Sequence, residues 1–242
     1  MARENHVFLS AEWRDLAMLN YKVDPELLRG HVPRGTILDS FHGMTYLSLV
    51  GFRFQHVKLF GALAVPFHTD FDEVNLRFYV RSQQGNEDRR GVVFLAEIVP
   101  KRGVVQIARM AYGENYLCLP MKHGIHTDGL RKRVEYQWKV NGAWCKMYAE
   151  VFGAPAQPKD GSLEQFITEH YWGYSARRSG HCLEYQVSHP PWDVWASAAA
   201  GFAGNGSLIY GPELGAVLQR PPDSAFVADG SPVVVFVGKK IS

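Results

Sequence analysis

The clearest pattern in the chain is the alternation at Glu73-Val74-Asn75-Leu76-Arg77-Phe78-Tyr79-Val80-Arg81, where an apolar side chain fills every second position. A period of two is that of a strand. Glu73, Asn75 and Arg77 are therefore expected on one face, with Val74, Leu76 and Phe78 on the other. Periodicity fixes that they share a face but leaves open whether that face looks into a cavity or into water. Further strands are expected over residues 44–55, 91–99, 134–140, 144–152, 182–188 and 231–237, each rich in aromatic and β-branched residues. Asn141-Gly142 is the turn of a hairpin, because both residues adopt positive φ readily. The polar stretch 83–90 reads as a second hairpin connection, giving a β-meander.

Helical signals are fewer. The stretch 10–21 passes from a capping serine, Ser10, into mixed apolar residues and reads as a helix. Asp24-Pro25 opens a short one that ends at the Pro33 and Gly35 breaks. Apolar residues at Val104, Val105, Ile107, Ala108 and Ala111 predict a helix over 103–111, and Ser162-Leu163-Glu164-Gln165 has the form of a capping box. The Ala/Gly/Ser-rich stretch 196–207 reads as loop, the Pro/Gly-rich stretch 153–161 as a connector, and no internal repeat is visible.

Composition narrows the class. With 242 residues, 46% hydrophobic and 21% charged, residues 1–242 read as one globular domain with a substantial core. A net charge of +2 gives no reason to expect a nucleic-acid partner, and the basic runs at Arg89-Arg90 and Arg131-Lys132-Arg133 read as solvated turns. The first residues are polar, with no signal-like segment, and no apolar run is long enough for a membrane span. Three widely spaced cysteines fit a reduced, cytoplasmic setting, with Cys118 read as a buried structural thiol.

Candidate chemistry concentrates after the 103–111 helix, in Glu114-Asn115-Tyr116 and Met121-Lys122-His123. Lys122 can serve as a nucleophile, with Glu114 and Tyr116 moving protons. Arg14, Glu73, Asn75, Arg77, Arg109, Met121, His123 and Trp172 are candidates to position a ligand, and Arg109 can pair with Glu73 or Glu114. His123, His126 and His170 lack a sharp ligand spacing, so neither a metal nor another cofactor is expected. No nucleophile elbow, phosphate loop or dinucleotide fingerprint is present.

Several of these segments together resemble the YqjF-like family of uncharacterised proteins: residues 11–21, 73–80, Asn115-Tyr116 through Pro120-Met121, 169–174, and His189-Pro190-Pro191-Trp192. That family is similar in turn to the acetoacetate decarboxylase-like superfamily, through Tyr21-Lys22-Val23-Asp24-Pro25 and through Leu119-Pro120-Met121-Lys122. The resemblance implies a mainly β (α+β) fold, an antiparallel β-barrel with a few short helices around a small-molecule pocket. It also implies decarboxylase-like or lyase-like chemistry on a carbonyl- or carboxylate-bearing metabolite. In those decarboxylases a lysine forms an imine while a neighbouring lysine lowers its pKa; here Met121 falls at the first position and Lys122 at the second. The alternative is a non-catalytic ligand-binding protein without the imine-forming lysine. Oligomers occur among proteins of that fold, but this sequence marks no interface.

Overall fold

The structure, a computed structural model, describes residues 6–64, 66–82, 89–176 and 181–241. Most of the expected connection at 83–90 and the polar residues 1–5 lie outside the described residues.

The first half of the chain forms β1 (Val7–Val23), α1 (Glu26–Arg29), β2 (Thr36–Leu38), β3 (Thr45–Leu59), β4 (Leu63–Ala64), β5 (Phe71–Ser82) and β6 (Arg90–Val99). Helix α2 (Arg102–Tyr112) follows, then β7 (Tyr116–Cys118), β8 (Met121–Asp128), β9 (Arg131–Val140) and β10 (Ala143–Phe152). The remainder is α3 (Leu163–Thr168), β11 (Trp172–Ala176), β12 (Cys182–Ser188), β13 (Val194–Ala203), α4 (Ser207–Gln219), β14 (Ser224–Phe236) and β15 (Lys239–Ile241). The fold is mostly β, as the patterning predicts.

Hydrogen-bonded neighbours run β15-β12-β11-β6-β5-β3-β1-β14-β13-β10-β9-β8. A short additional ladder, Val187 to Val235 and Ser188 to Val234, joins β12 to β14, so the ends of the seven-strand stretch from β12 to β14 meet. Strands β9 and β10 cross one face of β1 and β3. Their approach is so close at Gly51 that a Cβ there would lie 2.5 Å from the Tyr136 ring. Asn141 and Gly142 turn the β9–β10 hairpin at φ 47° and 86°.

Two expectations fail for identifiable reasons. Residues 10–21 are not a helix but lie in β1, which sits between β3 and β14. Ala17, Leu19 and Tyr21 enter the core facing β9 and β10, whereas Leu16 and Met18 enter the core on the opposite face. A strand buried on both sides shows a continuous apolar run and loses its period of two. Residues 196–207 are not a loop either. Small side chains there form β13, with Gly201 opposite Tyr148 of β10, and the stretch runs on into α4, which Gly211 and Pro212 kink. Strand β14 likewise begins at Ser224, earlier than its apolar run suggests.

Strand β5 is also buried on both faces. Val74, Leu76 and Phe78 pack toward β9, while Phe71 and Tyr79 belong to the other core. The Glu73, Asn75 and Arg77 row therefore points inward.

Candidate functional site

That inner side encloses a cavity of about 210 Å³. Its walls are mainly aromatic and aliphatic, including Trp13 of β1, Phe52 and Phe54 of β3 and Trp192. Helix α2 covers it with Val104, Ile107 and Ala108 of the apolar stripe predicted from the sequence, and with Tyr112, one residue beyond the predicted end. Gly113 ends that helix in the left-handed conformation at φ 68°, and its N–H bonds the Arg109 carbonyl. The chain then re-enters the sheet as β7.

The polar end of the cavity is assembled by strand register. Asn75 of β5 lies opposite Glu97 of β6, and Glu97 lies opposite Tyr116 of β7. Three neighbouring strands thus place an amide, a carboxyl and a phenol in one cross-strand row. Glu73 adds a second carboxyl. It accepts from Asn75 Nδ2 at 3.1 Å and from the Tyr116 hydroxyl at 3.2 Å. A third, Glu114, accepts from the Tyr185 hydroxyl at 2.5 Å.

Burial decides the protonation of this group. It pushes the Glu73 carboxyl up to about 7, against the Asn75 and Tyr116 hydrogen bonds and the Arg77 charge. Glu97, 2% exposed, is raised well above the carboxylate range, first by burial and then by the charges of Glu114 and Glu73. Both causes favour its protonated form. Tyr116 is pushed well above the phenol range by the same burial and by the three carboxyls.

At the other end of the polar row stands Arg77, whose guanidinium reaches the Ile167 carbonyl at 3.4 Å and lies 5.7 Å from the Tyr79 ring. His170 is buried nearby, and burial brings it down to about 4, so its imidazole is neutral. Its Nε2 stands 3.7 Å from Asp39, too far for a hydrogen bond. Several buried polar atoms of cavity-lining residues have no hydrogen-bond partner among the described residues: Glu97 Oε2, Asn75 Oδ1, Arg77 Nε and both ring nitrogens of His170.

Of the residues singled out in the sequence, Glu73, Asn75, Arg77, Glu114, Tyr116 and Trp172 line the cavity. The others lie elsewhere. Lys122 is exposed on β8, its ammonium 4.5 Å from the Trp144 ring. Met121 packs half-buried against the core on the β9 side, because successive residues of β8 face opposite ways. His123 bonds Asp72 at 2.9 Å, and Arg14 pairs with Glu12 at 2.7 Å. Arg109 bonds neither Glu73 nor Glu114. It donates to the Tyr116 carbonyl at 3.0 Å and so holds β7 in place. Cys118, expected buried, is exposed at the end of β7. Among the described residues, no group of three or more His, Cys, Asp or Glu side chains is arranged to hold a metal.

Glu97 and Tyr185 are what sequence reasoning missed. Glu97 carries a signal in hindsight: it is the one charged residue in the apolar run 91–99.

A family model described as DUF2071, uncharacterized conserved protein, matches residues 10–232. The chain belongs to that family. This DUF2071 protein is 26% identical over 180 residues to the uncharacterized protein YqjF of Bacillus subtilis strain 168, covering 74% of the chain and 72% of YqjF. Its fold is that of the acetoacetate decarboxylase-like proteins. The enduracididine biosynthesis enzyme MppR with HEPES bound superposes with a TM-score of 0.72 at 13% identity, over 97% of this chain and 88% of that one. Acetoacetate decarboxylase from Legionella pneumophila gives 0.66 at 12% identity, over 97% and 87%. Among the described residues of the DUF2071 protein, no helix is long and apolar enough to cross a membrane.

Proposed function

We propose that this DUF2071 protein is a single-domain, cytosolic barrel that binds a small carbonyl-bearing metabolite and catalyses proton transfer on it with carboxyl groups. The observation that carries this reading is the placement of two buried carboxyls beside Asn75 and Tyr116 in an apolar cavity, Glu97, whose burial favours the protonated acid, and Glu73, raised to about 7. The seven-strand path joined by the β12–β14 ladder supports the barrel, and free cysteines fit a reducing compartment.

Two carboxyl groups whose surroundings give them different proton affinities can act as acid and base. Ionised Glu73 would take a proton from the carbon beside the carbonyl. The electron pair of that C–H bond becomes the carbon–carbon π bond of an enolate and the carbonyl π pair moves to the oxygen, where Tyr116 and the Glu97 acid are the donors that stabilise it. On ligand entry the carbonyl competes with Glu73 for the Tyr116 hydroxyl, which frees Glu73 to act. The enolate formed is the intermediate shared by carbonyl isomerisation, aldol-type lysis and decarboxylation. Lys122 has no part in this scheme, since it is exposed and its ammonium is held over Trp144.

A second reading, binding without turnover, is favoured by the absence of lysine among the described cavity-lining residues. Both readings are tested by incubating the protein in D2O with a panel of ketones and oxo acids and following deuterium entry at the adjacent carbon by NMR. Exchange that Glu73→Gln abolishes while binding persists supports catalysis. Saturable binding with no exchange leaves the binding protein.

A further inference from the structure

The charges and the unpartnered atoms of the cavity constrain what it can take. Its acidic side chains are Glu73, Glu97 and Glu114, of which burial favours the protonated form of Glu97, and its one guanidinium is Arg77 among the described lining residues. Burial holds His170 and His189 toward their neutral forms, so neither adds a cation. Arg77 already sits beside Glu73 and reaches the Ile167 carbonyl. A carboxylate entering here would lose its water and meet a second carboxylate at Glu73, with the free Nε–H of Arg77 as its one guanidinium partner among the described lining residues.

The polar atoms without protein partners suit an uncharged ligand. Glu97 is 2% exposed and Asn75 1% exposed; both line the cavity and each has a side-chain oxygen without a hydrogen-bond partner, of which only the Glu97 oxygen can carry a proton to donate. The Trp13 indole N–H and both ring nitrogens of the buried His170 are likewise unpartnered. A carbonyl oxygen accepts from a carboxylic acid, an indole or an imidazole N–H without bringing a charge. The rest of the lining, with Phe52, Phe54, Phe94, Tyr112 and Trp192, can bury only an apolar or aromatic body.

We infer that the cavity takes an uncharged ketone or aldehyde with an apolar or aromatic body and discriminates against oxo acids. This rests on the small-molecule reading of the same site given above, and it chooses between the carbonyl and carboxylate classes that reading began with. The carbonyl oxygen sits at the Asn75–Glu97–Tyr116 row, and the body lies under α2 against the Trp13 and Trp192 walls.

The test uses three probes of one shape: phenylacetone, phenylpyruvate, in which a carboxylate replaces the methyl group, and propylbenzene, which lacks the carbonyl. Calorimetry at neutral pH should give phenylacetone saturable binding at least about tenfold tighter than either of the others. In Glu73→Gln, which keeps the shape and removes the charge, the gap between phenylacetone and phenylpyruvate should narrow. Phenylpyruvate binding as tightly as phenylacetone overturns the inference and leaves the small-molecule reading standing. Equal binding of phenylacetone and propylbenzene, or a gap unchanged in Glu73→Gln, overturns it as well. No binding of any probe to protein of verified fold overturns both.

Discussion

Glu97 lies directly across the β6–β7 ladder from Tyr116, so a buried carboxyl and a buried phenol share one cross-strand position. Helix α2 is the connection that makes this pairing available. It leaves the end of β6, covers the cavity, and returns the chain parallel to the strand it left. One segment therefore supplies both the roof of the cavity and two of its acidic or phenolic groups, Glu114 and Tyr116.

Glu73→Gln should stabilise the protein at alkaline pH. The folded state holds the Glu73 proton up to about pH 7, against 4.5 for an ordinary glutamate, so its stabilising contribution is full below about 4.5 and lost as the pH rises through 7. His170 acts in the opposite sense: its folded value is about 4 against 6.5, so its contribution is present above 6.5 and lost as the pH falls through 4. Only the first is removed by the substitution. Urea unfolding should show the variant more stable than wild type at about pH 8 by on the order of 1–3 kcal/mol, with the difference fading toward pH 4.5. A difference that does not change with pH would mean that Glu73 titrates normally.

Asp39→Asn should be destabilising. Asp39, 4% exposed, ties β5 to β6 by meeting Arg81 at 3.2 Å and Arg90 at 2.9 Å. Burial raises its carboxyl, yet the neighbouring His170 imidazole and the Arg90 guanidinium together outweigh that and hold it at about 2. Its contribution is thus present above 3.8 and lost as the pH falls through 2. The loss at neutral pH should be about 2–4 kcal/mol by chemical denaturation. A variant as stable as wild type at pH 7 would show that the arginines find equal partners without it.

Gly173→Ala should disturb the cavity from behind. A Cβ at Gly173 would lie 2.1 Å from Tyr185 Cζ, and this ring carries the hydroxyl that bonds Glu114. Overpacking of this kind costs about 1–3 kcal/mol. The near-ultraviolet circular dichroism of the tyrosines should change and ligand binding weaken, whereas unchanged spectra and affinity would mean that Tyr185 has room to move.

Lys122→Ala should leave ligand binding and deuterium exchange at wild-type levels. The side chain is exposed and lies over the exposed ring of Trp144, a contact worth about 1 kcal/mol or less. Borohydride treatment with oxo acids should give no adduct on Lys122, as read by peptide mapping. An adduct there would return imine chemistry to the site.

What the sequence determined by itself is the local part of this protein. The alternation at 73–81, the Asn141-Gly142 turn, the apolar stripe of α2 and the Ser162 cap each rest on interactions between near neighbours, and each is found as read. The tertiary structure decided what needs two distant segments at once. Which face of β5 looks into the cavity depended on β9 and β10 covering the other, with Tyr136 against Gly51. β1 read as a helix because both of its faces are buried, which erases the period that marks a strand. Lys122 and Glu97 show the same division: a lysine beside a proline is conspicuous in a sequence, whereas a glutamate inside an apolar strand has its proton affinity raised only when other strands take the water away from it.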